Sequence, residues 1–465
     1  MNKAVVLRRL VVVALLQVVL FMSLFQTDPG RAQVDRRPPP NVLIIFTDDQ
    51  RDTLAKMGSV RRHFVAHGRN FPRAYATTPA CCPSRASIMT GRFAHNHRVT
   101  TNKRPRKLNH RTTLQFYLQR AGYRTGYMGK FLNGWPLSQG PPFFHDWAIN
   151  APNTTGWRSR YFDGKFNING AIRRVAQYST NFIGDQAESF LRRTDRRNDR
   201  RPWLLYIAPN APHPPYQPAR EYEDARVPKW NPPASVGESN LRDKPKWVRK
   251  SQIGRSRAAL IRRQQLRMLM SVDDMTRQVM STLNDLRERN TLVVYTSDNG
   301  YAWGEHGLER KFSPYRESVE IPLMIKWPGQ VGNGTVDPRL AANIDIAPTV
   351  IDATGASTGN GPPMDGRSLL DPTWQRARLL LEYWKHSVRI SRAPTWASMI
   401  TRSSQYTKYY VNRKVVFREY YDLANDPYQL RNLLGDRRRS NDPATIRPMN
   451  LLLEQDRRCE GATCP

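Results

Sequence analysis

The stretch around which this chain is organised reads CCPSRASIMTGR and runs from Cys81 to Arg92. It predicts a helix, because Pro83 suits a first turn, where a missing N–H costs no hydrogen bond, and Gly91 is typical of a helix C-terminus. A group at position 81 would then face the unpaired N–H groups and the positive dipole end of that helix, with the guanidinium of Arg85 four residues on. Such a position favours an anion. A lone cysteine there would more often be a buried packing residue, but the composition of the whole string is too unusual for that interpretation alone.

Three apolar runs predict buried, parallel strands that end on polar side chains. They are residues 41–47 (NVLIIFT), 203–208 (WLLYIA) and 291–297 (TLVVYTS). The first is followed by Asp48 and Asp49, the second by a segment ending at His213, and the third by Asp298 and Asn299. In open α/β sheets, ligands bind at the carboxyl ends of the strands. These segments and Cys81 are therefore expected to meet in one cleft.

The side chains of Asp48, Asp49, Asp298 and Asn299 provide four oxygen donors, three of them anionic. Oxygen ligands without histidine or thiolate suit Ca²⁺ or Mg²⁺. Each pair taken alone is compatible with a turn at a strand end, where Asp and Asn are common. Two acidic pairs that each close a buried strand favour a cation site.

The string C-x-P-S-R followed by T-G-R resembles the signature of the type I sulfatases, and the resemblance extends from about Asn41 to Leu434. It implies an alkaline-phosphatase-like α/β fold, with a large central, mixed, mostly parallel sheet flanked by helices and a small C-terminal antiparallel sheet. It also implies that Cys81 is oxidised to formylglycine, whose hydrate attacks sulfur and then expels sulfate. One divalent cation, usually calcium, would be held by Asp48, Asp49, Asp298, Asn299 and the group at position 81.

The same resemblance implies roles for four further residues. Taken alone, Lys130 and Lys311 would be surface charges, and His213 would be a structural histidine. The family pattern instead makes both lysines sulfate contacts and makes His213 the group that contacts or protonates the ester oxygen. It makes Arg85 the residue that holds the formylglycine hydrate.

One motif departs from the common family pattern. Many members carry histidine two residues after the first lysine, where this chain has Leu132 followed by Asn133. The sequence GKFLN, the double cysteine and the HNH at residues 95–97 resemble the subgroup of N-acetylglucosamine-6-sulfatase and the heparan endosulfatases. This implies hydrolysis of the 6-O-sulfate of N-acetylglucosamine or a related glycosaminoglycan sugar, with Asn133 in part of the missing histidine's place. Glu382 and His386 are candidate sugar contacts, because the C-terminal subdomain borders the cleft in the family.

The chain is predicted to consist of an export segment and two structured parts. Residues 1–32, in which three basic residues precede an apolar run, are a signal peptide or an anchor, and 33–40 a linker. Residues 41–371 form the catalytic domain, with a long helix over about 256–289. Residues 372–450 form a subdomain with strands near 396–400, 408–411 and 415–419. In the tail, 451–465, Cys459 and Cys464 are expected to form a disulfide, which leaves Cys82 as a buried thiol.

The charge of the chain is extreme. Its 465 residues include 73 Lys and Arg against 39 Asp and Glu, a formal net charge of +34. This favours polyanionic partners, but neither zinc-finger spacing nor an RNA-binding aromatic motif is present, so nucleic acid is disfavoured. The expected partners are a sulfated sugar or glycosaminoglycan and a formylglycine-generating enzyme, with membrane contact only through an uncleaved N-terminal segment.

The protein is expected to be exported: secreted, periplasmic or envelope-associated, or lysosomal or extracellular in a eukaryotic host. Two alternatives to a sulfatase stay open at this point. One is a phosphonate or phosphate ester hydrolase of the same superfamily. The other is a non-catalytic binder of sulfated glycans that uses the positive charge. Exo or endo action and the oligomeric state are also open.

Overall fold

The computed structural model describes residues 38–150, 160–197, 201–386, 391–436 and 438–465. The export segment predicted for residues 1–32 lies outside them. Residues 40–465 form one compact unit. No helix in the described part of the chain has both the length and the apolar character needed to cross a membrane.

The described residues contain eighteen strands. In chain order they are β1 Asn41–Thr47, β2 Arg69–Asn70, β3 Ala74–Tyr75, β4 Arg124–Lys130, β5 Asp146–Asn150, β6 Gly164–Ile168, β7 Ala171–Val175, β8 Trp203–Ala208, β9 Thr291–Ser297, β10 Ala302–Trp303, β11 Glu309–Arg310, β12 Leu323–Lys326, β13 Thr335–Val336, β14 Ala341–Ala342, β15 Leu379–Tyr383, β16 Thr395–Ile400, β17 Ser404–Val411 and β18 Lys414–Asp422.

Ten of these strands form the central sheet, in the order β13-β2-β12-β9-β1-β8-β4-β5-β6-β7. The middle of the sheet, from β9 to β5, is parallel, whereas β12, β6 and β7 run antiparallel to their neighbours. The three predicted strands β1, β8 and β9 lie side by side, with Ile44 opposite both Tyr206 and Val294. The expected mixed, mostly parallel sheet is therefore confirmed, and the carboxyl ends of its three buried strands meet at one edge.

Helices cover both faces of this sheet. The described α-helices are Gly58–Val60, Cys81–Thr90, Ala94–His97, Leu114–Arg120, Ser179–Asp195, Lys246–Arg249, Arg255–Asp285, Arg316–Val319, Ile346–Thr354 and Ile446–Asp456. A π-helical turn is Arg61–Val65, and short 3₁₀ turns are Pro105–Lys107, His110–Thr112, Arg220–Tyr222, Asn343–Asp345, Arg439–Asn441 and Gly461–Thr463.

Alternate side chains of β1 enter two separate apolar layers, because successive side chains of a strand point to opposite faces. Val42 and Ile44 pack with the helix Cys81–Thr90, whereas Leu43 and Ile45 pack with Arg255–Asp285. The long helix begins one residue before its predicted start and ends four residues before its predicted end.

The C-terminal part forms a separate antiparallel sheet in the order β15-β16-β17-β18. The three predicted strands correspond to β16, β17 and β18. The first strand of this sheet, β15, was not predicted from the sequence. Cys459 and Cys464 are joined by a disulfide, and Cys82 is a free, buried thiol, as expected.

Candidate active site

Cys81 is the first residue of the helix Cys81–Thr90 and only 1% of its surface is exposed. Gly91 ends that helix in the left-handed conformation, with φ of 67°. The Sγ atom of Cys81 lies 2.9 Å from the Nζ atom of Lys311 and 3.5 Å from a carboxylate oxygen of Asp48. Burial, together with Asp48, raises the pKa of the thiol. The unmodified side chain is therefore a protonated thiol and not an activated thiolate.

The four predicted oxygen donors come together at the ends of β1 and β9, and all are buried. The backbone N–H of Asp49 donates to Asp298 over 3.2 Å, and the Nδ2 of Asn299 donates to Asp49 over 2.6 Å. Gly300, the next residue, lets the chain pass close to Glu317, because a Cβ atom there would lie 2.2 Å from the carbonyl oxygen of that residue. The ends of β1 and β9 thus bring three buried carboxyl groups close together.

Three predicted cations neutralise these carboxyl groups. Lys130 is paired with Asp48, Lys311 is paired with Asp49, and the Nε of Arg85 donates to Asp298 over 2.8 Å. The second guanidinium nitrogen of Arg85, Nη2, is buried and has no hydrogen-bond partner among the described residues. Arg85 therefore keeps one donor available for an oxygen atom in the site.

The pKa values of the three carboxyl groups diverge. Burial would raise the pKa of Asp48, but neighbouring cations, led by Lys130, hold it well below its usual range. Burial and the charge of Asp48 raise the pKa of Asp298 to about 6, and burial raises that of Asp49. Buried carboxyl groups that raise one another's pKa in this way are expected at a site that binds a further positive charge.

The donor set fits a hard divalent cation. The side-chain oxygen of Asn299 is buried without a hydrogen-bond partner among the described residues, an uncommon state for a buried amide. Asp48, Asp49, Cys81 and His213 each offer a ligand atom, and these atoms lie within 4.8 Å of one another. A cation bound to Asp49 would lie near the side chain of Asn299, whose Nδ2 donates to Asp49. This group shares Asp48, Asp49 and Cys81 with the predicted ligands and adds His213, whereas Asp298 and Asn299 are not part of it.

His213 borders this cluster, with Nε2 at 3.7 Å from Asp49. Its Nδ1 lies 2.6 Å from the carbonyl oxygen of Pro214, and the guanidinium of Arg160 contacts the same nitrogen. Burial lowers the pKa of His213 well below its usual range, although Asp48 opposes this, and Arg160 lowers it further. The imidazole is therefore neutral.

A cavity of about 310 Å³ opens above the cluster. It is lined by Asp49, Cys81, Asn102, Lys103, Asn133, Arg160, His213, Pro214, Tyr301, Arg310, Lys311 and Phe312. Asn133 lines it, as its predicted role requires. Five further lining residues were not predicted from the sequence: Asn102, Lys103, Arg160, Tyr301 and Arg310. Tyr301 and Arg310 adjoin residues that the motifs had singled out, but no local pattern marks Arg160.

Glu382 and His386 are not among the residues that line this cavity. The carboxylate of Glu382 lies 2.9 Å from Nδ1 of His95 and, although burial opposes this, raises the pKa of that histidine to about 9. His386 accepts a hydrogen bond of 3.0 Å from the backbone N–H of Asn102 at Nε2, and its Nδ1 lies 3.0 Å from the carbonyl oxygen of Trp384. Glu382 and His386 therefore contact His95 and Asn102, and of these two only Asn102 lines the cavity.

Comparison with known proteins gives matches along nearly the whole described chain. A family model described as "Sulfatase" matches residues 40–356, and one described as "N-sulphoglucosamine sulphohydrolase, C-terminal" matches residues 304–454. The extracellular sulfatase SULF-1 homolog of Drosophila melanogaster is 34% identical over 389 residues, which cover 79% of this chain and 34% of that protein. This chain thus matches only about a third of that relative's length.

The N-acetylglucosamine-6-sulfatase of Homo sapiens is 30% identical over 494 residues, which cover 94% of this chain and 87% of that protein. Among solved structures, one of a protein in complex with its substrate D-glucosamine-2-N,6-O-disulfate superimposes with a TM-score of 0.78 at 23% identity. That match covers 90% of this chain and 97% of the other, and it confirms the predicted fold. Because one family model covers more than half of the chain and a relative at 30% identity covers most of it, the chain belongs to the sulfatase family.

Proposed function

We propose that this protein hydrolyses sulfate monoesters in the cavity above Cys81. The observation that carries this proposal is a buried group at a helix N-terminus, placed between two lysines and a cluster of buried carboxylates. A sulfate ester needs an in-line nucleophile, neutralised oxygen atoms and a protonated leaving group. Membership of the sulfatase family supports the same reaction.

The nucleophile that we propose is a formylglycine formed from Cys81 by a formylglycine-generating enzyme. When present, this residue supplies a hydrated aldehyde with a reactive hydroxyl group. Two features support it. The unmodified thiol is protonated, because burial raises its pKa. Lys130 and Lys311 also place positive charge beside position 81, which favours a polar, partly anionic group there.

We propose that Asp48, Asp49, Asp298 and Asn299, together with the group at position 81, hold one Ca²⁺ or Mg²⁺. A bound cation of this kind supplies electrostatic stabilisation of the sulfuryl oxygens. The buried, unpartnered oxygen of Asn299 supports this assignment. Lys130 and Lys311, which pair with Asp48 and Asp49, are then free to turn toward the sulfate.

His213 is proposed to protonate the departing sugar oxygen. It lines the cavity beside Cys81, and burial keeps its ring neutral. An anionic sulfate bound nearby favours the protonated ring, since an opposite charge raises a histidine pKa. Arg160 holds the ring through its contacts with His213 and Pro214, and is a positioning residue.

The proposed substrate is the 6-O-sulfate of N-acetylglucosamine or a related glycosaminoglycan sugar. The GKFLN motif and the similarity to the human N-acetylglucosamine-6-sulfatase support it. A cavity of about 310 Å³ is at the small end of ligand pockets, which suits one terminal sugar. Asn133 would contact that sugar directly, while Glu382 and His386 would act through His95 and Asn102. The name of the extracellular Drosophila relative supports export.

Two measurements test this proposal. The mass of the peptide containing residue 81, from protein made in its native host, is expected to show formylglycine, and Cys81→Ala is expected to abolish turnover while the protein stays folded. Full activity with an unmodified thiol would overturn the mechanism. Matched sulfate, phosphate and phosphonate esters are compared in parallel, and faster hydrolysis of the phosphorus esters would identify a different hydrolase. Binding of sulfated glycans without any turnover by modified protein would identify a binder.

A further inference from the structure

A second and larger cavity, of about 770 Å³, lies between the C-terminal sheet and residues 245–250. We call it the basic cavity. It is lined by Pro245, Lys246, Trp247, Arg249, Lys250, Lys385, Arg392, Pro394, Tyr409, Val411, Val415, Val416, Phe417, Arg418, Leu434 and Arg439. None of these residues belongs to the site around Cys81.

The charged side chains of the basic cavity are all positive. Seven lysines and arginines line it and no carboxylate does, although the chain has 39 acidic residues against 73 basic ones. Arg418 is paired with Asp442 over 2.6 Å, and no other cation of the lining forms an ion pair within the described residues. Lys246, Arg249 and Lys250 are exposed. The cavity thus concentrates uncompensated positive charge, which attracts anions in proportion to their charge.

The remaining wall is apolar and partly exposed. Trp247 and Tyr409 pack together, with ring centroids 6.4 Å apart, and Phe417 packs on Tyr409. Val415 and Val416 are 44% and 53% exposed at the start of β18, the edge strand of the C-terminal sheet. Apolar walls with a few placed polar groups are typical of ligand pockets. Tyr409 is fully buried, but Trp247 and Phe417 are only partly buried and offer flat surfaces on which the C–H faces of sugar rings can lie.

The basic cavity and the cavity above Cys81 are neighbours across one short segment. Lys385 lines the basic cavity, and the next residue, His386, accepts a hydrogen bond from the N–H of Asn102. Asn102 lines the cavity above Cys81. The residues that line the two cavities are therefore joined by one backbone step and one hydrogen bond, which places the cavities on neighbouring parts of the protein.

We propose that the basic cavity binds a second stretch of the polysulfated glycan whose terminal sugar occupies the site above Cys81. The choice of glycan rests on the proposed function, whereas the affinity for a polyanion rests on the lining alone. Seven cations suit repeated sulfate groups along one chain. A concave cavity with aromatic walls suits sugar units better than the flat surface of a lipid bilayer, which would contact only the rim.

The test compares two double variants with equal change in charge. Arg249→Glu/Lys250→Glu alters the basic cavity, and Lys165→Glu/Arg173→Glu alters exposed positions on β6 and β7, at the far edge of the central sheet. Binding of a heparin octasaccharide is measured by calorimetry at low and high salt. The first variant is expected to bind at least about tenfold more weakly than the wild type, and the second to keep most of its affinity. The kcat/KM for a monosaccharide 6-sulfate is expected to stay unchanged in both.

Three results would overturn the proposal: equal weakening by both variants, equal affinity for the octasaccharide and a monosaccharide sulfate, or binding of phosphatidylglycerol vesicles in place of the octasaccharide. Failure of the proposed function gives a different pattern. In that case the wild type hydrolyses no sulfate ester after modification of residue 81, yet the octasaccharide still binds and Arg249→Glu/Lys250→Glu still weakens it.

Discussion

His213 lies in a setting that opposes the role proposed for it, since burial and the neighbouring Arg160 keep its ring neutral. The role is needed only when the leaving group requires a proton. His213→Ala is expected to lower kcat for a sugar 6-sulfate by about 10²–10⁴-fold, the usual contribution of a general acid. For nitrophenyl sulfate, whose phenolate leaves unprotonated, the loss is expected to be much smaller. Equal losses on the two substrates, measured at saturating concentrations, would contradict the assignment.

Asp298 binds Arg85 and stands among the proposed metal ligands, so its removal affects two charges at once. Asp298→Ala is expected to lose bound calcium and activity together, because fewer anionic oxygens remain to hold the cation. Metal content is measured by atomic emission after dialysis at low calcium. Asp146→Ala, which removes a buried acid paired with Arg124, is the control and should keep the metal. Stoichiometric calcium in the Asp298 variant would refute the assignment.

At the residue scale, side chains that follow a regular pattern could be predicted and others could not. Asp48 and Asp298 follow continuous apolar runs, and strand ends in such sheets have a predictable location. Arg160 follows no such run and reaches His213 from 53 positions away. Glu382 was predicted to contact sugar, but its carboxylate is bound by His95, 287 positions earlier. Local sequence carries no information about such distant partners.

At the level of elements, the end of β4 depends on Gly129, which has φ of 118°. A Cβ atom there would lie 2.1 Å from the carbonyl oxygen of Ala208 on β8. Gly129→Ala is expected to separate β4 from β8, displace Lys130 and lower the free energy of unfolding by more than about 2 kcal/mol. Denaturant titration and sulfatase assays measure both effects.

Gly122 is the matched control for this change. It also has positive φ, 88°, but a Cβ atom there would meet nothing within 4 Å. Gly122→Ala should therefore cost only the backbone strain, roughly 1–2 kcal/mol, and leave activity intact. Equal effects of the two substitutions on activity would show that strain alone, without the clash with β8, explains the result.

The contact between His95 and Glu382 joins the helix Ala94–His97 to β15 and should make stability depend on pH. The pKa of His95 is raised to about 9 in the folded protein. The stability that the pair of His95 and Glu382 contributes is therefore fully present below about pH 6.5, the pKa of histidine in the unfolded chain. It is lost as the pH rises through about 9. The wild type is expected to be more stable than His95→Gln at low pH. This difference in the free energy of unfolding is expected to shrink by at most about 3 kcal/mol over that range. A difference that does not vary with pH would contradict this.

The control is His67→Gln, which changes an exposed histidine elsewhere in the chain. This substitution leaves the contact between His95 and Glu382 in place, so the pH dependence that this contact contributes should remain. Denaturant curves at several pH values provide both comparisons.

Predictability also differed among elements. The strands β1, β8 and β9 are continuous apolar runs, which only a buried parallel strand explains well. β15 was missed because its sequence, LLLEY, has neither alternation nor turn residues that mark its ends. The fold class followed from the strands that could be predicted, so this omission did not change it.

On the scale of the whole molecule, the C-terminal tail returns to the region of the site. The carbonyl oxygen of Cys459 accepts from Asn96, the N–H of Gly461 donates to Asp365, and Arg376 donates to the carbonyl oxygen of Pro465. Deletion of residues 459–465 is expected to lower the free energy of unfolding by about 3 kcal/mol or more, since several partly buried hydrogen bonds are lost. Thermal denaturation followed by circular dichroism measures it.

Cys459→Ser/Cys464→Ser is the comparison for this deletion. It removes the disulfide but keeps the hydrogen bonds that the tail makes. The deletion should therefore destabilise the protein more than the double substitution does. Equal destabilisation would mean that the disulfide alone fixes the tail.

The burial of Cys81 also limits the period during synthesis in which the residue is accessible. Only 1% of the residue is exposed once the protein has folded, and Lys311, which contacts its sulfur atom, is synthesised 230 residues later. At the usual rates of translation, that interval is on the order of ten to fifty seconds. If Cys81 is converted to formylglycine as proposed, the modifying enzyme would have to reach the residue before folding buries it. The fraction of active molecules would then depend on the rate of modification relative to the rate of translation. Slower translation of the segment between Cys81 and Lys311 would raise that fraction.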